Sequence, residues 1–339
     1  MKILFAFYPL FIKWNHGIGL LSAICKKAGI DVSLHVLSTL VEFEKCLENY
    51  DGQFVGFSAV CSEDYRQSLD YMRLAKIAKK TVLFGGTWAG WNIEVDSSAD
   101  YVCRGGAETL VEFLLNGNDD LFKRNIPDDF DNLPFPDYEI FKTLEFDRGI
   151  PCLKNKKVLP YVSSKGCPYK CSFCQIQHQP KGVKIRRKMA EELSILKNQY
   201  GAEAFWLGDS TLPYYDEKWR ESWENFKHPF ACYIRADIKP DQLEWLIERG
   251  MIGCGFGVES GDEKFRNDVL KKQLTDEELF RTVKILKKHN IEYLPFFMTG
   301  LSGETFLMRA KTAKMAREIG EYSIIWHYAP EGQVFLKHI

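Results

Sequence analysis

Short apolar runs alternate with amphipathic stretches along almost the whole chain of 339 residues. That alternation restricts the fold to parallel strands joined by crossover helices, with the sheet covered on both faces. In the first third, Ile3–Phe7, Asp31–Leu37, Phe54–Ser58, Thr81–Phe84 and Tyr101–Cys103 read as strands. Helices are expected over Gly17–Ala28, Glu63 to Lys79 and Glu108–Leu115. The first of these stops at Gly29 with Lys26 and Lys27 in its last turn, a sound helix ending. The result is a doubly wound α/β domain over residues 1–118. Gly85-Gly86 and Gly105-Gly106 follow its later strands, where loops at strand carboxyl ends form the ligand crevice.

Residues 119–158 break the pattern. Asp119, Asp120, Asp128, Asp129 and Asp131 crowd together ahead of Leu133-Pro134-Phe135-Pro136-Asp137-Tyr138, and the prolines read as a linker. The alternation resumes over 159–339 in longer units. Strands are expected at Leu159–Ser164, Ala202–Leu207, Phe230–Ala236, Ile252–Val258, Glu292–Thr299 and Tyr322–Tyr328. Helices are expected at Arg187–Tyr200, Lys239–Glu248, Thr275–His289 and Glu304–Ile319. Thr275 and Glu278 stand at capping-box spacing. Six strands with crossover helices suit a partial (β/α)6 barrel, whose chemistry sits at the carboxyl ends of the strands. The sixth strand has no following helix to cover it, so the expectation is either an unusually early end or a further segment or partner that covers it.

Composition narrows the partners. Lysine and arginine total 45 against 46 acidic residues, a formal charge of −1, so no global basic field points to nucleic acid. No apolar run is long enough for a membrane span, and the N-terminus reads as a strand rather than a leader. A cytoplasmic location is expected.

Of the ten cysteines, seven are scattered and read as small buried hydrophobes. Cys167, Cys171 and Cys174 fall within eight residues, spaced C-x3-C-x2-C on the loop leaving the first barrel strand. Three thiolates there can hold three irons of a 4Fe–4S cube, whereas an electron-transfer cluster of that kind takes four. The fourth iron is then open to an outside ligand. His178 leaves a Cys3His zinc site as the alternative, and a structural cluster is a third.

The segment Gly166-Cys167-Pro168 to Cys174, with Phe173 before the last cysteine, resembles the radical S-adenosylmethionine (SAM) superfamily. Further segments resemble that family's later strand ends in the right order: Phe205-Trp206-Leu207-Gly208-Asp209, Tyr233-Ile234-Arg235-Ala236-Asp237, Gly255-Phe256-Gly257-Val258-Glu259-Ser260-Gly261 and Met298-Thr299-Gly300-Leu301-Ser302-Gly303-Glu304-Thr305. Ser302 replaces the family's proline in the last. The resemblance implies that Cys167, Cys171 and Cys174 ligate a 4Fe–4S cluster whose open iron is chelated by SAM. One electron then cleaves SAM to methionine and a 5′-deoxyadenosyl radical. By the same resemblance Phe173 packs near the adenine, Glu259 binds a ribose hydroxyl, Arg235 pairs with the SAM carboxylate and Asp209 accepts from its ammonium. Arg235 and Glu259 could instead pair with each other across the barrel mouth. A one-electron donor such as a flavodoxin or ferredoxin and a small-molecule or peptide substrate are implied partners.

Residues 1–118 resemble the Rossmann-like cobalamin-binding domain that often precedes such a barrel. The resemblance rests on Gly17-Ile18-Gly19-Leu20, Val55-Gly56-Phe57-Ser58, Gly85-Gly86 and Arg104-Gly105-Gly106-Ala107-Glu108. Gly85, Gly86 and Gly105 are the candidate corrin contacts. No Asp-x-His-x-x-Gly occurs, so no histidine of that motif ligates cobalt from below. Thr87-Trp88-Ala89-Gly90-Trp91 stands where the family shows a Pro-His pair; its tryptophans either stack on a corrin or fill the crevice. The expected function is cobalamin-dependent C-methylation. The alternatives are a radical SAM enzyme with a vestigial first domain, doing cyclisation, rearrangement or sulfur insertion, and a non-catalytic iron–sulfur redox sensor. Three other features have plain readings. The run Lys181, Lys184, Arg186, Arg187 and Lys188 is a solvated helix entry, or a phosphate contact. Tyr214, Tyr215, Trp219, Trp223 and Trp245 could line a substrate channel, but at helical spacing Trp219 and Trp223 read as core. His327 is a structural histidine rather than an acid or base.

Overall fold

The computed structural model describes residues 1–9, 14–60, 62–91, 97–104, 107–117, 130–142, 151–174, 182–320, 323–327 and 334–335. The chain forms two compact units that divide between Arg148 and Gly149, inside the proline-bounded stretch.

The first unit runs β1 (Lys2–Phe7), α1 (His16–Lys27), β2 (Asp31–Val36), α2 (Leu40–Glu48), β3 (Phe54–Ser58), α3 (Ser62–Ile77), β4 (Thr81–Gly85), α4 (Thr87–Trp91), β5 (Tyr101–Val102) and α5 (Ala107–Asn116). The described strands make one sheet of order β2-β1-β3-β4-β5, with every neighbouring pair parallel. Two helices were not foreseen. In α2, Thr39 accepts from the Glu42 amide at 3.2 Å, and Phe43 and Leu47, one turn apart, are its buried residues. Nine residues with two apolar contacts give too short a period to read. The other is α4, a single turn following Gly86. The core on one side of the sheet gathers Phe43, Phe57, Tyr71, Met72, Phe84 and Trp88.

The strand order reverses between β1 and β3, which makes the crevice at their carboxyl ends the place for a ligand. Asn15 holds this edge together. Its side chain caps α1 by accepting from the Ile18 amide at 3.1 Å, and its amide nitrogen donates to Ser58 Oγ at 3.1 Å. Residues 130–142 belong to the same unit. Ser22 and Lys26 both reach Asp137 Oδ2 at 2.6 Å, and Trp14 stacks on Tyr138 at 5.1 Å.

The second unit runs β6 (Val158–Tyr161), β7 (Ser164–Lys165), β8 (Lys184–Ile185), α6 (Met189–Tyr200), β9 (Ala204–Leu207), α7 (Glu217–Glu221), β10 (Phe230–Tyr233), α8 (Pro240–Glu248), β11 (Met251–Glu259), α9 (Glu263–Asp268), α10 (Asp276–Lys288), β12 (Glu292–Thr299), α11 (Phe306–Ile319), β13 (Ile324–His327) and β14 (Val334–Phe335). Six strands, β6-β9-β10-β11-β12-β13, follow one another in parallel, and β14 adds antiparallel to β13 at the edge. This is the partial barrel. The capping box of Thr275 and Glu278 is formed, and Leu279, Val283 and Leu286 are buried as their spacing requires. Trp219 and Trp223 are fully buried and pack edge to face.

One strand divides where the sequence suggested a single run. After Tyr161 the chain leaves the barrel sheet, and Ser164 and Lys165 pair antiparallel with Ile185 and Lys184. The loop carrying the three cysteines is thus closed at its base by a two-residue ribbon.

Candidate functional site

The cysteine loop is anchored from three sides. At its root, Asp209 from the end of β9 takes the hydroxyls of Ser163 and Ser164 at 2.9 and 2.6 Å and the Ser163 amide at 3.3 Å. Trp219 Nε1 donates to the same Ser163 oxygen at 3.2 Å. Asp209 is buried, and burial pushes its carboxyl up to about 6 although the serine donors pull the other way. At the ribbon, Gly166 has φ +92, and a Cβ there would lie 2.5 Å from the Gly182 carbonyl oxygen, so no other residue fits. At the far end, the Ser172 amide and hydroxyl bind the carbonyls of Leu270 and Val269 at 2.9 and 2.8 Å. The Cys174 amide returns to the Cys171 carbonyl at 3.0 Å.

Phe173 packs against Phe265, Leu270, Met298 and Leu301, and the Lys272 ammonium lies 5.9 Å from its ring centre. The same lysine donates to Glu259 Oε1 at 2.8 Å, and both side chains are buried. Glu259 sits at φ +69, a left-handed conformation that costs a non-glycine residue energy. The register of β11 against β12 slips between Gly257 and Glu259, and such bulges re-aim side chains at the ends of strands. Gly257 makes the room. A Cβ there would lie 2.0 Å from Glu259 Oε1 and 2.8 Å from Lys272 Nζ.

Arg235, at the end of β10, is buried. It grips Asp237 with Nε at 2.9 Å and Nη2 at 2.8 Å, and Nη2 also donates to the Lys272 carbonyl at 2.6 Å. Its guanidinium carbon lies 3.8 Å from the centre of the Tyr169 ring. Burial works to discharge it, but the Asp237 bonds prevail and hold its pKa above the ordinary arginine value. The ion pair between Arg235 and Glu259 is therefore not formed. Each has its own opposite partner, Asp237 and Lys272, and neither pairing was expected from the sequence.

The chemistry of the donors fits an iron–sulfur cube. Three thiols share one loop, and two have polar neighbours: Cys167 Sγ lies 3.8 Å from Thr211 Oγ1, and Cys171 Sγ lies 3.9 Å from the Arg235 Nη1 donor. Among the described residues no group of three or more His, Cys, Asp or Glu side chains is placed to hold a metal ion. His178, the fourth donor of the zinc alternative, lies outside the described residues. The basic run is broken by Arg186, which is buried in a forked ion pair with Glu192, itself bound by the Tyr161 hydroxyl at 2.6 Å.

In the first unit, Gly85 ends β4 and Gly86 turns at φ +93. A Cβ on Gly86 would strike the Ala59 carbonyl oxygen at 2.4 Å, so its role is the close approach of β4's loop to β3. Trp88 belongs to the core and lies beside Tyr65. Its Nε1, like that of Trp14, is buried with no hydrogen-bond partner among the described residues. Gly105 and the side chains of Trp91 and His327 lie outside what is described.

The family model "Radical SAM superfamily" matches residues 161–316, the span that holds the cysteine loop and the ends of β9 to β12. Residues 161–316 are a radical SAM catalytic domain. Two curated relatives are similar to the chain. The anaerobic magnesium-protoporphyrin IX monomethyl ester cyclase of Rubrivivax gelatinosus is 28% identical over 54% of this chain and 34% of its own length. An uncharacterized methyltransferase of Pyrococcus horikoshii is 24% identical over 88% of this chain and 74% of its own length. The matched region is thus about a third of the cyclase. Among solved structures, the radical SAM methyltransferase TsrM of Kitasatospora setae, with tryptophan and a SAM analogue bound, superposes with a TM-score of 0.74 at 13% identity, covering 96% of this chain and 72% of that one. The same enzyme has been solved with cobalamin and a [4Fe-4S] cluster bound. At this identity the likeness establishes the fold: a Rossmann-like sheet and a partial radical SAM barrel. No helix among the described residues is long and apolar enough to cross a membrane.

Proposed function

We propose that the chain is a cobalamin-dependent radical SAM enzyme that methylates carbon. The observation that carries the radical SAM part is the cysteine loop, closed by its own ribbon and pinned to the ends of neighbouring strands. Cys167, Cys171 and Cys174 would hold a 4Fe–4S cluster. Phe173 and Glu259 would face SAM, the first as an apolar wall and the second as a hydroxyl acceptor. When bound, these groups supply one-electron cleavage of SAM and, with a corrin, a transferable methyl group.

The chain's own residues do the positioning. Lys272 engages one oxygen of Glu259, which orients the carboxylate and leaves the other oxygen for a ligand hydroxyl. Asp209 has its acceptor capacity taken by Ser163 and Ser164, so we assign it to holding the root of the loop. The apolar cluster of Phe265, Leu270, Met298 and Leu301 around Phe173 excludes water. In the first unit the indole N–H groups of Trp14 and Trp88 lack acceptors among the described residues. A buried donor left unsatisfied is costly, and the carbonyl-bearing amide side chains of a corrin would satisfy it. The methyltransferase among the curated relatives and the methyltransferase TsrM support the reaction class.

The test is anaerobic reconstitution with iron and sulfide, then incubation with SAM, a one-electron reductant and hydroxocobalamin. Formation of 5′-deoxyadenosine together with S-adenosylhomocysteine supports the proposal. Deoxyadenosine alone, with no bound corrin, points to other radical chemistry. An iron cluster that never cleaves SAM would leave a redox sensor.

A further inference from the structure

The sequence suggested that Arg235 would bind the carboxylate of SAM, yet the contacts of its guanidinium are already allotted. Nε and Nη2 serve Asp237 and the carbonyls of Lys272 and Gln273, and Nη1 lies against Cys171 Sγ at 3.9 Å. The plane is fixed from one side by the Tyr169 ring, a residue of the cysteine loop itself. Thr211, buried in the segment after β9, has its hydroxyl oxygen 3.8 Å from Cys167 Sγ but gives its proton to the Ser210 carbonyl at 2.9 Å. Cys171 Sγ thus meets a charged donor from the segment that follows β10.

We propose that Arg235 is a positioning residue of the cluster, donating to the Cys171 sulfur and so setting how readily the cluster accepts an electron. This rests on the radical SAM reading above. A thiolate ligand accepts hydrogen bonds, and the reduced cluster carries one more negative charge than the oxidised one. Donors on its sulfurs therefore stabilise the reduced form and raise the reduction potential. The Arg235–Asp237 pair is a dipole with its positive end on the sulfur. Burial leaves little water to screen it. A lysine would keep the charge but lose the fork and the stacking plane.

The test is a potentiometric titration of the full-length, anaerobically reconstituted protein, followed by electron paramagnetic resonance. The couple is the one-electron reduction of the cube, with the electron supplied by dithionite through mediators. Iron and sulfide per chain are measured in parallel. Arg235→Gln is expected to shift the midpoint to more negative potential at undiminished iron content. Arg235→Lys should recover part of the shift. A purely structural role would lower iron content or stability without moving the midpoint of the cluster that remains. Unmoved midpoints in iron-replete variants overturn the inference and leave the radical SAM reading standing. If Arg235→Gln does not fold, Arg235→Lys alone decides: its midpoint should lie below that of the wild type, and an unmoved midpoint overturns the inference. Wild-type protein that takes up no iron overturns both.

Discussion

Gly257 shows how one missing side chain supports the site. Its Cβ position is occupied by the Glu259 carboxylate and the Lys272 ammonium. Gly257→Ala must push that pair apart, and overpacking of this kind costs about 1–3 kcal/mol. The expected outcome is a lower denaturant midpoint together with weaker SAM binding, read by chemical unfolding and by equilibrium dialysis. Asp209 carries a different residue-scale consequence. Its folded-state carboxyl is raised by burial from 3.8 to about 6, so between those values the folded protein binds more protons than the unfolded chain. Its contribution to stability therefore falls as pH rises from about 4 to about 6 and is level above that. Asp209→Asn should flatten that part of the stability–pH profile, which thermal unfolding from pH 4 to 7 would show. A profile unchanged by the substitution would remove Asp209 as the source. The cysteine trio, Glu259 and Arg235 were visible as types at strand ends, but the partners of the last two were not. Lys272 lies 13 positions from Glu259 in sequence, and only the loop after α9 brings them together.

At the scale of elements, the ribbon of β7 and β8 matters most. It closes the cysteine loop at its base, and its turn into the loop requires Gly166 at φ +92 against the Gly182 carbonyl. Gly166→Ala should open the ribbon and lower the iron bound per chain after reconstitution, while the circular dichroism of the barrel stays close to wild type. The strand β11 repays its glycines similarly. Gly253, Gly255 and Gly257 recur at every second residue, hence on one face, and the places their side chains would take are filled by Cys152, by Phe296 and Tyr233, and by Glu259. Helix ends were legible because caps are local: Thr275 and Glu278 close their box within four residues. Removing it with Thr275→Ala should cost about 0.5–2 kcal/mol, measured as a lower melting temperature. The ribbon was not legible because two-residue strands have no period, and their pairing partners lie about twenty residues apart in the chain.

At the scale of the molecule, each unit builds its own sheet and core, so each can respond to its own ligand. A corrin bound to the first unit would stabilise it by about 2.7 kcal/mol at a hundredfold excess over Kd, seen as an upward shift in thermal unfolding with hydroxocobalamin. Trp88→Phe keeps the ring in the core and removes the N–H, and should reduce that shift. No shift in the wild type would argue for a first unit without a corrin. By itself the sequence determined the two parallel α/β sheets, the place of the cysteine loop and the family of its chemistry. Periodicity, caps and a close-spaced thiol motif are local properties, and side-chain type carries them. Only the tertiary structure decided which charges pair, why Gly257 and Gly166 lack side chains, and what touches the cysteine sulfurs. Those contacts join residues far apart in the chain, and they come into being only when the strands take their order and register.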